Sequence, residues 1–171
     1  MTVRLQSVTF TSGDGETSVP SYLATPDRPG PHPVVLILRG VAGPDDGYTE
    51  IARRLAEWGY VALVHGWKVR GADPVDRLVY ADLQGAMTFL GSVGQADLRG
   101  LAVFGFCRGG VHAVMAARAH PAIRVIVVFH GFAVRTHPGY AEDAAKQSFD
   151  EARRFLATHL PVLPGRDHPS A

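Results

Sequence analysis

The sequence predicts an α/β protein, a mainly parallel β-sheet with helices on both faces. Three observations carry this. The apolar runs PVVLIL and VIVVF are too continuous for strands with a wet face, and far shorter than the roughly 20 residues that cross a bilayer. They alternate with segments of helical period, the pattern of βαβ units. A chain of 171 residues, 46% hydrophobic and 19% charged, has enough apolar surface for one core and is short for two.

The elements follow in order. VRLQSVTF and SVPSYLATP alternate apolar and polar residues around TSGDGET, whose Asp-Gly is a turn signal, so they predict an exposed hairpin. PDRPGPHP is a loop by its prolines, and VVLIL after it is a strand covered on both faces. A helix follows over Tyr48 to Trp58, a strand over Tyr60 to Val64, and a helix from Pro74 to about Leu90. A strand at Leu101 to Gly105, a helix after Cys107 and a strand at Ile123 to Phe129 complete the alternation. In YAEDAAKQSFDEARRFLATHL, the residues Ala145, Phe149, Ala152, Leu156 and Leu160 recur at three and four, with acidic residues in the first turn; this is an amphipathic helix. The tail PVLPGRDHPSA is rich in proline and is expected to fray. The predicted organisation is one domain over residues 1–160 and a flexible C-terminal tail over 161–171.

Composition excludes several functions. Seventeen Lys and Arg balance 16 Asp and Glu, which gives nucleic acid no electrostatic footprint. No apolar run suits a membrane anchor, one cysteine cannot form an internal disulfide, and the N-terminus lacks a signal-peptide pattern, so the expected location is the cytoplasm. His130 and His137 stand seven positions apart, but no carboxylate or cysteine completes a known ligand spacing, and no metal is expected.

The single cysteine stands in LAVFGFCRGGVHAVMAARA, where strand gives way to helix. The form Gly-x-Cys-x-Gly-Gly is the thiol version of the nucleophile elbow. A nucleophile on that turn needs small residues two before and two after it, and Gly105 and Gly109 supply them. The helix N-terminus favours a thiolate, and its free N–H groups, that of Arg108 above all, suit an oxyanion. The plain alternative is a small buried hydrophobe, the usual state of a lone cysteine. Among eight histidines, His112 lies on the helix after the elbow and is expected to face away from Cys107. His120 and His159 close helices, and His32 and His168 lie in loop or tail. His65 follows a strand. His130 caps the strand expected beside that of Cys107, and reads equally as a general base or an ordinary strand-end histidine.

With these residues in place, the chain resembles the dienelactone hydrolase family, the carboxymethylenebutenolidase-like, cysteine-dependent members of the α/β-hydrolase fold. The likeness runs through PVVLILRGVAGPDDGYTEIARRLAEWGYVAL, DLQGAMTFLGSVGQADLRGLAVFGFCRGG and HGFAVRTHPGYAEDAAKQSFDEARRFLATHL. It implies an α/β-hydrolase-type three-layer sandwich that cleaves an ester or lactone bond with no cofactor. Cys107 is then the nucleophile, His130 its base, and the backbone N–H groups of Val41 and Arg108 the oxyanion hole. Arg70, in GWKVRG, and Arg135, in HGFAVR, match arginines that hold a substrate carboxylate.

The sequence departs from the family in three places. His130 follows Cys107 by only 23 residues, so the stretch that normally brings the catalytic aspartate is missing and the sheet is shortened on its C-terminal side. Asp46, Asp73 and Asp76 are alternatives for that acid. Gly40 stands where the family has a glutamate interacting with the resting thiol, with Arg39 beside it, and one extra residue precedes Arg135. A shortened sheet would leave an apolar edge for a homodimer to cover. The competing functional reading is a non-catalytic shortened paralogue that binds a small anion or a partner subunit, and a redox-sensing thiol is a third.

Overall fold

Strand β1 (Val3–Thr11) turns back on β2 (Ser18–Pro26) as an antiparallel hairpin with nine paired positions. The computed structural model describes residues 2–40, 46–71 and 75–162. Asp14 fixes the hairpin turn: its carboxylate accepts the N–H groups of Glu16 at 3.0 Å and Thr17 at 2.9 Å, an Asx turn.

The apolar run at the centre becomes β3 (His32–Leu38), buried along its whole length. There follow α1 (Asp46–Glu57), β4 (Val61–Val64), a 3₁₀ turn at Trp67–Arg70, α2 (Asp76–Gly91) and β5 (Ala96–Phe106). Then come α3 (Arg108–Ala119), β6 (Ile123–Phe129), a 3₁₀ turn at Gly131–Ala133 and α4 (Glu142–His159). The sheet order is β1-β2-β4-β3-β5-β6. Strands β3 to β6 are parallel, while β2 joins β4 antiparallel, so a two-stranded antiparallel edge extends a parallel centre. β5 starts five residues earlier than the apolar run indicates, because its polar first half pairs with His32 and Pro33 before the register shifts.

Strand period two divides the core. Val35 and Ile37 of β3 face one cluster with α1 and α4, and Val34, Leu36 and Leu38 face another with α2 and α3. The three layers predicted are present. α4 buries Ala145, Phe149, Ala152 and Leu156, the stripe its spacing indicates, each large apolar side chain contributing roughly 1.5–3 kcal/mol by leaving water. Tyr60 Oη donates to the Leu160 carbonyl at 3.0 Å and pins the end of that helix. The expected tail falls outside the described residues except for 161 and 162, and Val162 packs against the core. Among the described residues no helix is long and apolar enough to cross a membrane.

Candidate active site

The parallel strands β3, β5 and β6 deliver their C-terminal ends to one rim of the sheet, the position at which open α/β sheets carry their sites. At the end of β5, Cys107 adopts φ 52° and ψ −117°, the only positive φ of a non-glycine residue among those described. L-residues rarely occupy this region, and strain of this kind concentrates where function holds it. The glycines around it are dictated by backbone packing. A Cβ on Gly105 would lie 2.6 Å from the Gly109 carbonyl oxygen and the Gly110 Cα, and one on Gly109 would collide with the Leu38 carbonyl. Cys107 is exposed, which sets aside the buried-hydrophobe reading.

Two backbone bonds hold the elbow. The Cys107 N–H donates to the Phe129 carbonyl at 2.9 Å, and the Cys107 carbonyl accepts from Gly110 N–H at 2.9 Å. Beneath it runs an aromatic column: the Phe106 ring meets Tyr48 edge-on at 5.4 Å and stacks on Phe129 at 5.0 Å, which stacks on Phe149 at 4.9 Å. One helix from the end of the chain thereby supports the turn that carries the thiol.

His130 directly follows Phe129, so the bond from Cys107 to the Phe129 carbonyl makes the two residues backbone neighbours across β5 and β6. Its side chain is exposed, and its carbonyl caps the 3₁₀ turn through Ala133 N–H at 3.1 Å. Among the described residues no hydrogen bond joins its imidazole to Cys107 or to a carboxylate. Of the three candidate acids, Asp73 lies outside the described residues, as does the oxyanion donor Val41. Asp46 opens α1 and its carbonyl accepts from the Thr49 hydroxyl. Asp76 is engaged elsewhere: its Oδ1 lies 3.0 Å from His112 Nε2 and accepts from Arg108 Nη2 at 3.2 Å. His112 is fully buried, and burial pushes its pKa down against the opposing pull of Asp76. Arg108 is the first residue of α3, so its backbone N–H lies in the first turn of the helix.

The two arginines separate. Arg70 has a structural occupation: it donates from Nη2 to Asp82 at 2.6 Å and to Asp14 at 2.7 Å, and from Nη1 to Thr17 at 2.9 Å, with its side chain only 9% exposed. Asp82 also meets buried His65 at 3.2 Å. Burial alone would raise the Asp82 pKa, but the hydrogen bonds from His65 and Arg70 outweigh it and bring it to about 2. This network ties the hairpin turn to α2 and β4, and its charges offset one another rather than a ligand. Arg135 is exposed and, among the described residues, bonds only Glu50, at 3.1 Å, on the rim of a hollow of about 640 Å³ between α1 and α4. A second hollow of about 310 Å³ is lined by Tyr22, Arg39 and His65. Neither is lined by Cys107.

One neighbour of the thiol escapes the sequence. Tyr48 enters the sequence reading only as the start of a helix; in the fold its hydroxyl accepts Gly40 N–H at 2.9 Å next to Cys107. Helical spacing carries no signal for that.

The model of the dienelactone hydrolase family matches residues 19–149, a stretch that holds both Cys107 and His130. The chain belongs to the dienelactone hydrolase family. It is 30% identical over 130 residues to the Methylorubrum extorquens protein named "Putative carboxymethylenebutenolidase", an alignment covering 66% of this chain and 45% of that one. It is 32% identical over 133 residues to a Bradyrhizobium protein named "Probable 2-oxo-3-(5-oxofuran-2-ylidene)propanoate lactonase", covering 69% and 53%. The chain thus spans about half the length of these curated relatives. A crystal structure titled "Putative Dienelactone Hydrolase", from Klebsiella pneumoniae, superposes with TM-score 0.77 at 19% identity, over 92% of this chain and 98% of that one. That likeness establishes the α/β-hydrolase-type fold.

Proposed function

We propose that this member of the dienelactone hydrolase family hydrolyses a small ester or lactone through Cys107, with His130 as proton carrier and no cofactor. The Cys107 sulfur bonds to the substrate carbonyl carbon while the carbonyl π pair moves onto oxygen. The resulting oxyanion is met by the backbone N–H groups of Arg108 and Val41. His130 takes the thiol proton and delivers it to the departing alkoxide as the C–O bond breaks. Water then adds to the thioester, His130 accepts its proton, and the thiolate leaves as the acid is released.

The observation that carries the reading is the conformation of Cys107: an exposed thiol held at φ 52° between glycines that backbone packing requires. A Cys–His pair needs a third residue less than a Ser–His pair does, because a thiol ionises more readily than a hydroxyl. Arg135 completes the proposal as the anchor of a substrate carboxylate, since an ion pair as exposed as its contact with Glu50 is worth at most about 1 kcal/mol and is readily surrendered. Arg70 takes no part. The apolar edge at β6, where Val128 is 54% exposed, is proposed to pair with a second copy, and the cytoplasm as the compartment.

The test combines mass spectrometry of the protein treated with p-nitrophenyl acetate and steady-state release of the phenol, in the wild type and in Cys107→Ala and His130→Ala. Turnover lost in both variants is the expected result. One-time acylation or none in the wild type refutes turnover and turns the reading to a binding role.

A further inference from the structure

We propose that the Tyr48 hydroxyl is the hydrogen-bond donor that stabilises the Cys107 thiolate, entering from α1 the space left by the glycine at position 40. A Cβ built on Gly40 would lie 3.2 Å from Cys107 Cβ and 3.3 Å from Tyr48 Oη. Thiol and phenol therefore border the same small volume, into which position 40 projects no side chain. Tyr48 is 2% exposed, and a buried hydroxyl normally uses both its donor and its acceptor capacity. Its oxygen accepts Gly40 N–H at 2.9 Å, while among the described residues nothing accepts its hydrogen. The ring cannot turn away: Phe106 holds one side edge-on and the Arg39 guanidinium lies 5.2 Å over its centre. Burial raises the phenol pKa above its ordinary value, so the hydroxyl keeps its proton through the neutral range and is available to donate.

Other titratable groups on the elements around Cys107 include Arg39 after β3, His130 after β6, Arg108 and His112 of α3 with Asp76 of α2, and Asp46 and Glu50 of α1. Of the two imidazoles, His112 is fully buried and His130 is exposed.

The proposal rests on Cys107 being the nucleophile, and its test is independent of turnover. Iodoacetamide alkylates the thiolate of the only cysteine in the chain, displacing iodide, and the rate is followed by intact mass against pH. In Tyr48→Phe the ring packing stays and the donor is lost. The inflection is expected to rise by about one pH unit, as for loss of one hydrogen bond to a charge. Below the inflection the rate should fall only about threefold, because the more basic thiolate is the better nucleophile. The same shift is expected in a His130→Ala background, which removes the exposed imidazole. Should Tyr48→Phe fail to fold, Gly40→Ala places a methyl between the two groups and is expected to move the inflection the same way. An unchanged inflection in the folded variants overturns the proposal, whatever the esterase assay shows.

Discussion

Asp82→Asn is the most demanding test of the charge network that joins the hairpin to α2. Asp82 is fully buried and holds Arg70 through two bonds, of 2.6 and 3.2 Å, and His65 through one of 3.2 Å. An amide of the same size keeps the packing but removes the charge opposite a guanidinium that is nine-tenths buried. Stripping one partner from a buried pair costs 3–5 kcal/mol in general. Arg70 retains Asp14, a more exposed carboxylate at 2.7 Å, so the lower end applies and about 3 kcal/mol is expected. For a chain of this size that is a fall in melting temperature of roughly 6–12 °C, with a matching loss in the urea midpoint at unchanged slope. The same carboxylate gives the wild type a pH dependence. Its folded pKa, about 2, lies below the ordinary aspartate value, so its contribution is complete above the ordinary carboxylate range and is lost as pH falls toward 2. Asp82→Asn should flatten that part of the acid limb. A variant within about 1 kcal/mol of the wild type, with the acid limb unaltered, would refute the assignment of Arg70 to stability, because an exchange between strong and negligible coupling is what the buried-pair argument forbids.

Two further outcomes follow from the same geometry. Gly105→Ala places a Cβ 2.6 Å from two backbone atoms of the elbow, which cannot rotate aside; a loss of about 3 kcal/mol or more in urea unfolding is expected, as for severe overpacking, with Cys107 alkylation altered in parallel. Val128→Lys, on the outer strand, is expected to convert a dimer to a monomer by sedimentation at a cost below about 1 kcal/mol per protomer, since edge lysines block strand pairing; a wild type that sediments as a monomer removes the β6 interface.

Much of the architecture was legible because it depends on local period. VVLIL could be nothing but a strand covered on both faces, and the 3–4 spacing from Ala145 to Leu156 placed the buried stripe of α4 residue by residue. The elbow was legible for a different reason: backbone crowding at Gly105 and Gly109 admits few residue types, so the motif is a steric requirement written in sequence. Arg70 was misplaced because a cation in a Gly-rich loop has the same local signature whether it meets a substrate or Asp82, twelve residues on, and Asp14, across the hairpin. Tyr48 was missed because nothing local marks it; only the tertiary approach of α1 to the end of β3 brings its hydroxyl to Gly40, beside Cys107. Asp76, one of three carboxylates offered for the histidine's acid, meets His112 and Arg108 instead of His130, a choice made by the packing of α2 on α3.

The bond from Cys107 N–H to the Phe129 carbonyl crosses between the last two strands of the sheet, and that places the chemistry on its least protected margin. Among the described strands of one protomer β6 pairs with β5 alone, so in the monomer it opens more readily than β3 or β4, whose every residue is enclosed. Opening β6 would carry His130 away from the elbow while the remaining five strands kept their pairing. The amide of Cys107 is therefore a natural gauge of this margin: its hydrogen exchange reports the fraction of molecules in which Cys107 and His130 share a frame.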